Sequence, residues 1–213
     1  MKVNADAMTL YAVTDTAWVG EQTLIEQVKE ALDGGITFLQ LREKNLSEEE
    51  FLQEAVEMKK LADQYKVPFV INDNIEVALR AGADGVHVGQ DDMPVEEVRK
   101  LLGDDKIIGV SAHNVEEAVR AEKGGADYLG VGAVYTTPTK EDASVVSLEE
   151  IKKICDTVSI PVVAIGGIKE KNIMNLKGTN VAGAAVVSAV FGAEDIKETV
   201  QRLLKMVKSL KER

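Results

Sequence analysis

The sequence predicts an α/β chain folded as a single-domain (β/α)8 TIM barrel spanning residues 1–213. Three observations point there. Short β-branched runs alternate with amphipathic stretches whose apolar residues recur at i, i+3, i+4 and i+7, and the pair repeats eight times. The short runs lack strict apolar–polar alternation, as expected of strands buried on both faces of a parallel sheet. No linker, low-complexity segment or break in composition divides the chain. A doubly wound open sheet is the rival arrangement, but eight units about twenty-five residues apart leave no room for a separate sheet domain.

The first strand is expected at 10–14 (LYAVT) and the first helix near 21–33. Gly34-Gly35 sit where that helix should stop, because glycine takes the left-handed C-terminal conformation without a clash. Strand 36–41 (ITFLQL) leads to a helix over 47–65, opened by Ser47-Glu48-Glu49-Glu50. That is a capping box, in which the serine and the acid three residues on each bond the other's backbone. Strand 68–71 (PFVI) precedes a helix over 74–81, capped by Asn74 and stopped at Ala81-Gly82. Strand 84–88 (DGVHV) precedes a helix over 94–102, with Pro94 in its first position. Strand 107–111 (IIGVS) is followed by a helix over 114–123, capped by Asn114 and stopped at Gly124-Gly125. Strand 127–131 (DYLGV) is followed, after the longest loop, by a helix over 147–158 with a second capping box at Ser147-Leu148-Glu149-Glu150. Strands 161–165 (PVVAI) and 183–187 (GAAVV) precede helices near 169–176 and 194–211.

Composition narrows the function. Aromatic residues are only 4%, so the core is expected to be built from Val, Ile, Leu and Ala. The net charge of −11 argues against a nucleic-acid partner, although a basic pocket can exist inside an acidic protein. The single cysteine, Cys155, lies in an apolar stripe with Ile151, Ile154 and Val158; it reads as a small core residue, not a nucleophile. No apolar run approaches ~18 residues, so no membrane span is expected. Met1 to Asp6 lack the apolar core of a signal peptide, which makes the cytoplasm the expected location.

In such a barrel the chemistry sits at the C-terminal ends of the strands. After the second strand come Gln40, Arg42 and Lys44, which alternation places on one side, where they could grip a polyphosphate; a solvated loop is the plain alternative. After the third comes Asp73, between Asn72 and the capping Asn74, and after the fourth comes Asp92. Neighbouring strands would bring these two carboxylates side by side. Mg²⁺ favours one or two carboxylates completed by substrate phosphates and water; helix capping is the competing role. His87, inside an apolar run, reads as a hydrogen-bonded core residue. Ser111 and His113 follow the fifth strand without an acid at triad spacing, which argues against nucleophilic catalysis. The long loop after the sixth strand carries Thr136, Thr137, Pro138, Thr139 and Lys140, groups suited to phosphate. Gly166-Gly167 after the seventh strand and Ser188 after the eighth match a common barrel phosphate site. Two anion sites and one metal imply a transfer reaction with diphosphate as leaving group.

These residues resemble a known family. QLREK at 40–44, NDN at 72–74, HVGQDD at 87–92, GVSAH at 109–113, TPTK at 137–140, IGGI at 165–168 and VVSA at 186–189 are similar, in order and spacing, to thiamine phosphate synthase (thiamine-phosphate pyrophosphorylase). The resemblance runs from about residue 10 to residue 195. It implies that aminomethylpyrimidine diphosphate and a thiazole phosphate give thiamine phosphate and diphosphate. It implies that Gln40, Leu41, Arg42, Glu43, Lys44, Asn72, Ser111 and Lys140 hold the pyrimidine diphosphate. Arg42, Lys44, Lys140 and Ser111 would serve catalysis, and Asp73 and Asp92 would hold Mg²⁺. Thr137, Pro138, Thr139, Gly167, Val187 and Ser188 would hold the thiazole phosphate.

The implied partners are two phosphorylated small molecules, with no nucleic acid and no membrane; a homo-oligomer is compatible with the sequence. Three places depart from the family pattern: Asn74 after Asp73, the segment 141–147, and Asn180-Val181-Ala182-Gly183 before the last strand. The alternatives are a thiazole tautomerase using His113, and a phosphate-binding regulatory barrel without activity.

Overall fold

The computed structural model describes residues 3–136 and 145–211. Eight parallel strands close on themselves in chain order, so the doubly wound sheet is excluded. They are β1 (Leu10–Val13), β2 (Phe38–Leu41), β3 (Phe69–Asn72), β4 (Gly85–Val88), β5 (Ile107–Ala112), β6 (Tyr128–Val131), β7 (Val162–Ile165) and β8 (Gly183–Val186). The helices are α1 (Leu24–Gly34), α2 (Glu48–Tyr65), α3 (Ile75–Arg80), α4 (Val95–Leu102), α5 (Val115–Gly124), α6 (Leu148–Thr157), α7 (Ser188–Phe191) and α8 (Ile196–Leu210). None is long and apolar enough to cross a membrane among the described residues.

The expected caps are in place, with revisions. Ser47 and Glu50 form the full capping box, and Asn74 and Asn114 accept from the backbone N–H three residues on. A further box, Thr23 with Glu26, opens α1. At Ser147 only half the box forms: its hydroxyl accepts from Glu150 N at 3.1 Å, while the Glu150 carboxylate accepts from Val115 N at 3.3 Å. Pro94 is the N-cap of α4, one residue earlier than expected. The helix expected over 169–176 is only a 3-10 turn at Ile173–Leu176, and α7 was not foreseen.

Two apolar layers hold the barrel. The outer layer lies between strands and helices and is aliphatic, with Leu39, Leu41, Ile71, Val86 and Val131 buried against the helices. Gly34 lets α1 approach α8 closely; an added Cβ would stand 2.7 Å from the Val200 Cβ. This contact joins the first and last helices around the seam between β1 and β8. The inner layer is also largely aliphatic, as composition leads one to expect, but it holds a cluster of three rings. Tyr11, Phe38 and Tyr128 meet edge to face, with centroids 4.7 to 5.8 Å apart. Such pairs are the favoured geometry for ring quadrupoles.

At the opposite end from the site, side chains before alternate strands cap their neighbours. Thr37, Asp84 and Asp127 accept from the Leu10, Phe69 and Ile108 backbone N–H groups at 2.8 to 2.9 Å. Ala182 occupies the corresponding place before β8 and has no side-chain acceptor.

Candidate active site

β3 and β4 run side by side with Asn72 opposite His87. The ladder extends one residue further, Asp73 N donating to His87 O at 2.9 Å, and Asp73 then turns at φ +60°. Asp92 reaches back over its own loop and accepts from Gly89 N at 2.7 Å. The Asp73 carboxyl is pushed up to about 6: crowding by protein comes first, then the Asp92 carboxylate, opposed by the Asn72 amide and by Lys44. The two carboxyl groups stand within hydrogen-bonding reach of each other, a pair that could hold a cation. The described residues contain no cluster of three or more His, Cys, Asp or Glu side chains gathered for a metal. Two acids completed by water and substrate oxygens suit Mg²⁺ better than a metal that needs a full protein cage.

The basic side chains stand on the neighbouring loop. Arg42 and Lys44 line one cavity of about 340 Å³ together with Asp15 and Asn45. Arg42 is not loose there, because its guanidinium donates to Asp15 Oδ2 at 3.3 Å. Its backbone N–H donates to Thr14 Oγ1 at 2.9 Å. Glu43 folds onto its own loop and accepts from the Lys44 and Asn45 backbone N–H groups at 2.7 and 2.8 Å. Leu41 is fully buried in the outer layer, so its side chain is not available to a ligand in the mouth.

Inside the barrel a polar chain crosses from β2 to β5. The Gln40 amide donates to the Tyr11 hydroxyl. The Tyr11 and Tyr128 hydroxyls are 2.7 Å apart. Tyr128 Oη lies 2.9 Å from His87 Nδ1, and His87 Nε2 lies 3.0 Å from Ser111 Oγ. His87 is thus the hydrogen-bonded interior residue expected of it. Burial pushes both phenols up, so both stay protonated. Gly109 makes the room: an added Cβ would sit 2.3 Å from Tyr128 Oη and 2.5 Å from His87 Nδ1. Ser111 is held a second way, as Gln90 Nε2 donates to its carbonyl at 2.6 Å and Arg120 donates to Gln90 Oε1 at 2.7 Å.

His113 is engaged by Glu117, whose Oε2 lies 2.9 Å from Nδ1 and accepts from the His113 backbone N–H at 2.8 Å. On the far side of the mouth, Gly166 and Gly167 both have positive φ, at +99° and +65°. They let the loop after β6 press on β7, with Tyr135 N donating to Gly166 O at 3.1 Å. A Cβ on Gly167 would come within 2.9 Å of Thr136 O. Val187 and Ser188 mark the start of α7, whose backbone begins helical at Ser188. Thr137, Pro138, Thr139 and Lys140 lie outside the described residues.

Tyr11, Tyr128, Asp15 and Gln90 were not singled out from sequence. A tyrosine inside a buried strand is a usable signal, because its hydroxyl must find a partner. Asp15 and Gln90 give no such signal, since each looks like an ordinary loop polar residue.

A family model described as thiamine monophosphate synthase matches residues 10–190. A thiamine-phosphate synthase of Ruminiclostridium cellulolyticum is 52% identical over 93% of this chain and 94% of its own length. One from Clostridium acetobutylicum is 51% identical over 93% and 94%. A solved thiamine phosphate pyrophosphorylase from Pyrococcus furiosus superposes with a TM-score of 0.90 at 41% identity, covering 97% of this chain and 98% of that one. Matched over most of its length by the family model, this chain belongs to the thiamine monophosphate synthase family.

Proposed function

We propose that this chain joins 4-amino-2-methyl-5-(diphosphooxymethyl)pyrimidine to a thiazole phosphate at the C-terminal mouth of the barrel. The products are thiamine phosphate and diphosphate. The observation that carries the assignment of roles is the pair Asp73 and Asp92 in the loops after adjacent strands, with Lys44 close enough to oppose the raised Asp73 pKa. Asp73 and Asp92 hold Mg²⁺. When bound, it supplies positive charge that offsets the charge of the departing diphosphate.

The chain's own residues do the rest. Arg42, Lys44 and Lys140 take up the diphosphate: Arg42 as a planar fork, the lysines as point charges. Asp15 fixes the direction of that fork. Gln40, Asn72 and Ser111 hold the pyrimidine, and Glu43 shapes the loop between Arg42 and Lys44. Thr137, Pro138, Thr139, Gly167, Val187 and Ser188 hold the thiazole phosphate. The bond between the exocyclic CH2 and the diphosphate oxygen breaks, and its electron pair leaves with diphosphate. The ring's amino group delocalises the resulting positive charge. The thiazole nitrogen lone pair then forms the new C–N bond. No protein nucleophile is required, so the protein contributes electrostatic stabilisation and placement of the two rings.

Asp92→Ala tests the assignment by diphosphate release measured across a Mg²⁺ titration. Turnover is expected to fall by ~100-fold or more with the fold intact, and the Mg²⁺ dependence to move to higher concentration. Undiminished release at low Mg²⁺ would remove Asp92 from the site.

A further inference from the structure

The five-residue chain Gln40–Tyr11–Tyr128–His87–Ser111 has a property its separate bonds do not. Each tyrosine hydroxyl has one proton and sits between two partners, so it donates to one and accepts from the other. His87 is bonded at both ring nitrogens, and a neutral imidazole has one donor and one acceptor. With every link made, one choice of direction determines all the others.

In the structure Gln40 Nε2 donates to Tyr11. Tyr11 must then donate to Tyr128, and Tyr128 to His87 Nδ1. His87 carries its proton on Nε2 and donates to Ser111 Oγ. At the two ends this leaves the Gln40 carbonyl as an acceptor and the Ser111 O–H as a donor. Reversed, the Gln40 amide would present its NH2, and Ser111 would spend its proton on His87 and present only lone pairs.

We propose that this chain acts as a single polarity switch, linking what Gln40 and Ser111 offer to a ligand, and that it selects an aminopyrimidine over its oxo counterpart. This rests on the reading that Gln40 and Ser111 hold the pyrimidine. An aminopyrimidine presents a donor at its amine and acceptors at its ring nitrogens. The oxo ring presents an acceptor at its carbonyl and a donor at a ring N–H. The amino form complements the assigned direction, and the oxo form requires all four links to reverse together. Tyr11, Tyr128 and His87 are positioning residues, acting through the two ends. Their burial makes the coupling tight, because an unpaired hydroxyl there has no water to turn to.

The test compares the 4-amino and 4-oxo pyrimidine diphosphates, both by calorimetric binding and by diphosphate release. The wild type is expected to prefer the amino form by ~100-fold or more. Tyr128→Phe keeps the ring and cuts the chain in the middle, and the preference is expected to shrink to within about tenfold. Tyr11→Phe cuts the neighbouring link and should do the same. An undiminished preference in either folded variant overturns the proposal. Imidazole 15N shifts of the wild type give an independent reading: protonation of His87 on Nε2 is expected, and on Nδ1 contradicts the assigned direction. A wild type that binds both diphosphates but releases none sinks the transferase reading, while the binding ratio still decides the switch.

Discussion

Asp15 holds Arg42 by one carboxylate oxygen and its own turn by the other. Oδ2 accepts from Arg42 Nη1 at 3.3 Å, and Oδ1 accepts from Ala17 N at 3.0 Å. A single side chain thus ties the turn after β1 to the basic group after β2. Asp15→Ala should leave the fold intact and free the guanidinium to wander. We expect kcat/KM for the pyrimidine diphosphate to drop by ~10- to 100-fold, about 1.4 to 2.7 kcal/mol, measured by steady-state diphosphate release. An unchanged value would mean that Arg42 does not need this anchor.

Gly109 is the steric key to the interior. It pairs with His87 on one side and Tyr128 on the other, and a Cβ there would lie 2.1 Å from Tyr128 Cζ. Gly109→Ala should cost about 1–3 kcal/mol through overpacking. Thermal melting is expected to fall by ~2–10 °C. Activity should fall more than stability does, because the displaced rings carry Gln40 and Ser111 with them. A variant that melts and turns over like the wild type would show that the interior yields easily.

Glu54 sets a pH dependence of stability. Its carboxyl is pushed from 4.5 up to about 7, first by burial and then by Glu43 and Glu57. The Glu54 and Glu43 Oε2 atoms are both buried without a hydrogen-bond partner among the described residues. Between those two values the folded chain keeps a proton that the unfolded chain releases, so stability falls as pH rises through the window. Glu54→Gln removes the penalty. Since the side chain is only partly buried, the gain at pH 8 is expected to be only about 1 kcal/mol, or ~2–4 °C in Tm. At pH 5 the two proteins should melt together; a gain at pH 5 as large as at pH 8 would assign the effect to something other than the proton.

Mg²⁺ should stabilise the folded chain. At a hundredfold excess over Kd the linkage is worth about 2.7 kcal/mol, which corresponds to ~5–10 °C in Tm. Chelation should reverse it, and Asp73→Asn with Asp92→Asn should abolish it. A shift retained in the double variant would place the cation elsewhere.

The local devices were legible in the sequence. Ser47, Asn74 and Asn114 announce helix starts, and Gly35 and Gly125 announce stops, because each does its work within a few residues. The strand-end acids were legible for a related reason: once the parallel order is known, Asp73 and Asp92 must emerge together. The turn at 173–176 misled because Ile173 and Leu176 are three apart, a spacing that a 3-10 turn satisfies as well as an α-helix. Four residues of α7 carry no period at all. The interior chain was invisible because its links span 29, 117, 41 and 24 residues, and no local pattern encodes such partners. Low aromatic content also gave no hint that Tyr11, Phe38 and Tyr128 would meet inside the barrel.

The most direct test is diphosphate release from the pyrimidine diphosphate by the wild-type chain, with thiazole phosphate and Mg²⁺ each present or omitted. Release that requires both is the predicted result, since the proposed function has the two anion sites and the acid pair serve one reaction. Release that ignores either component, or none with both present, contradicts it, and thiazole isomerisation becomes the activity to measure.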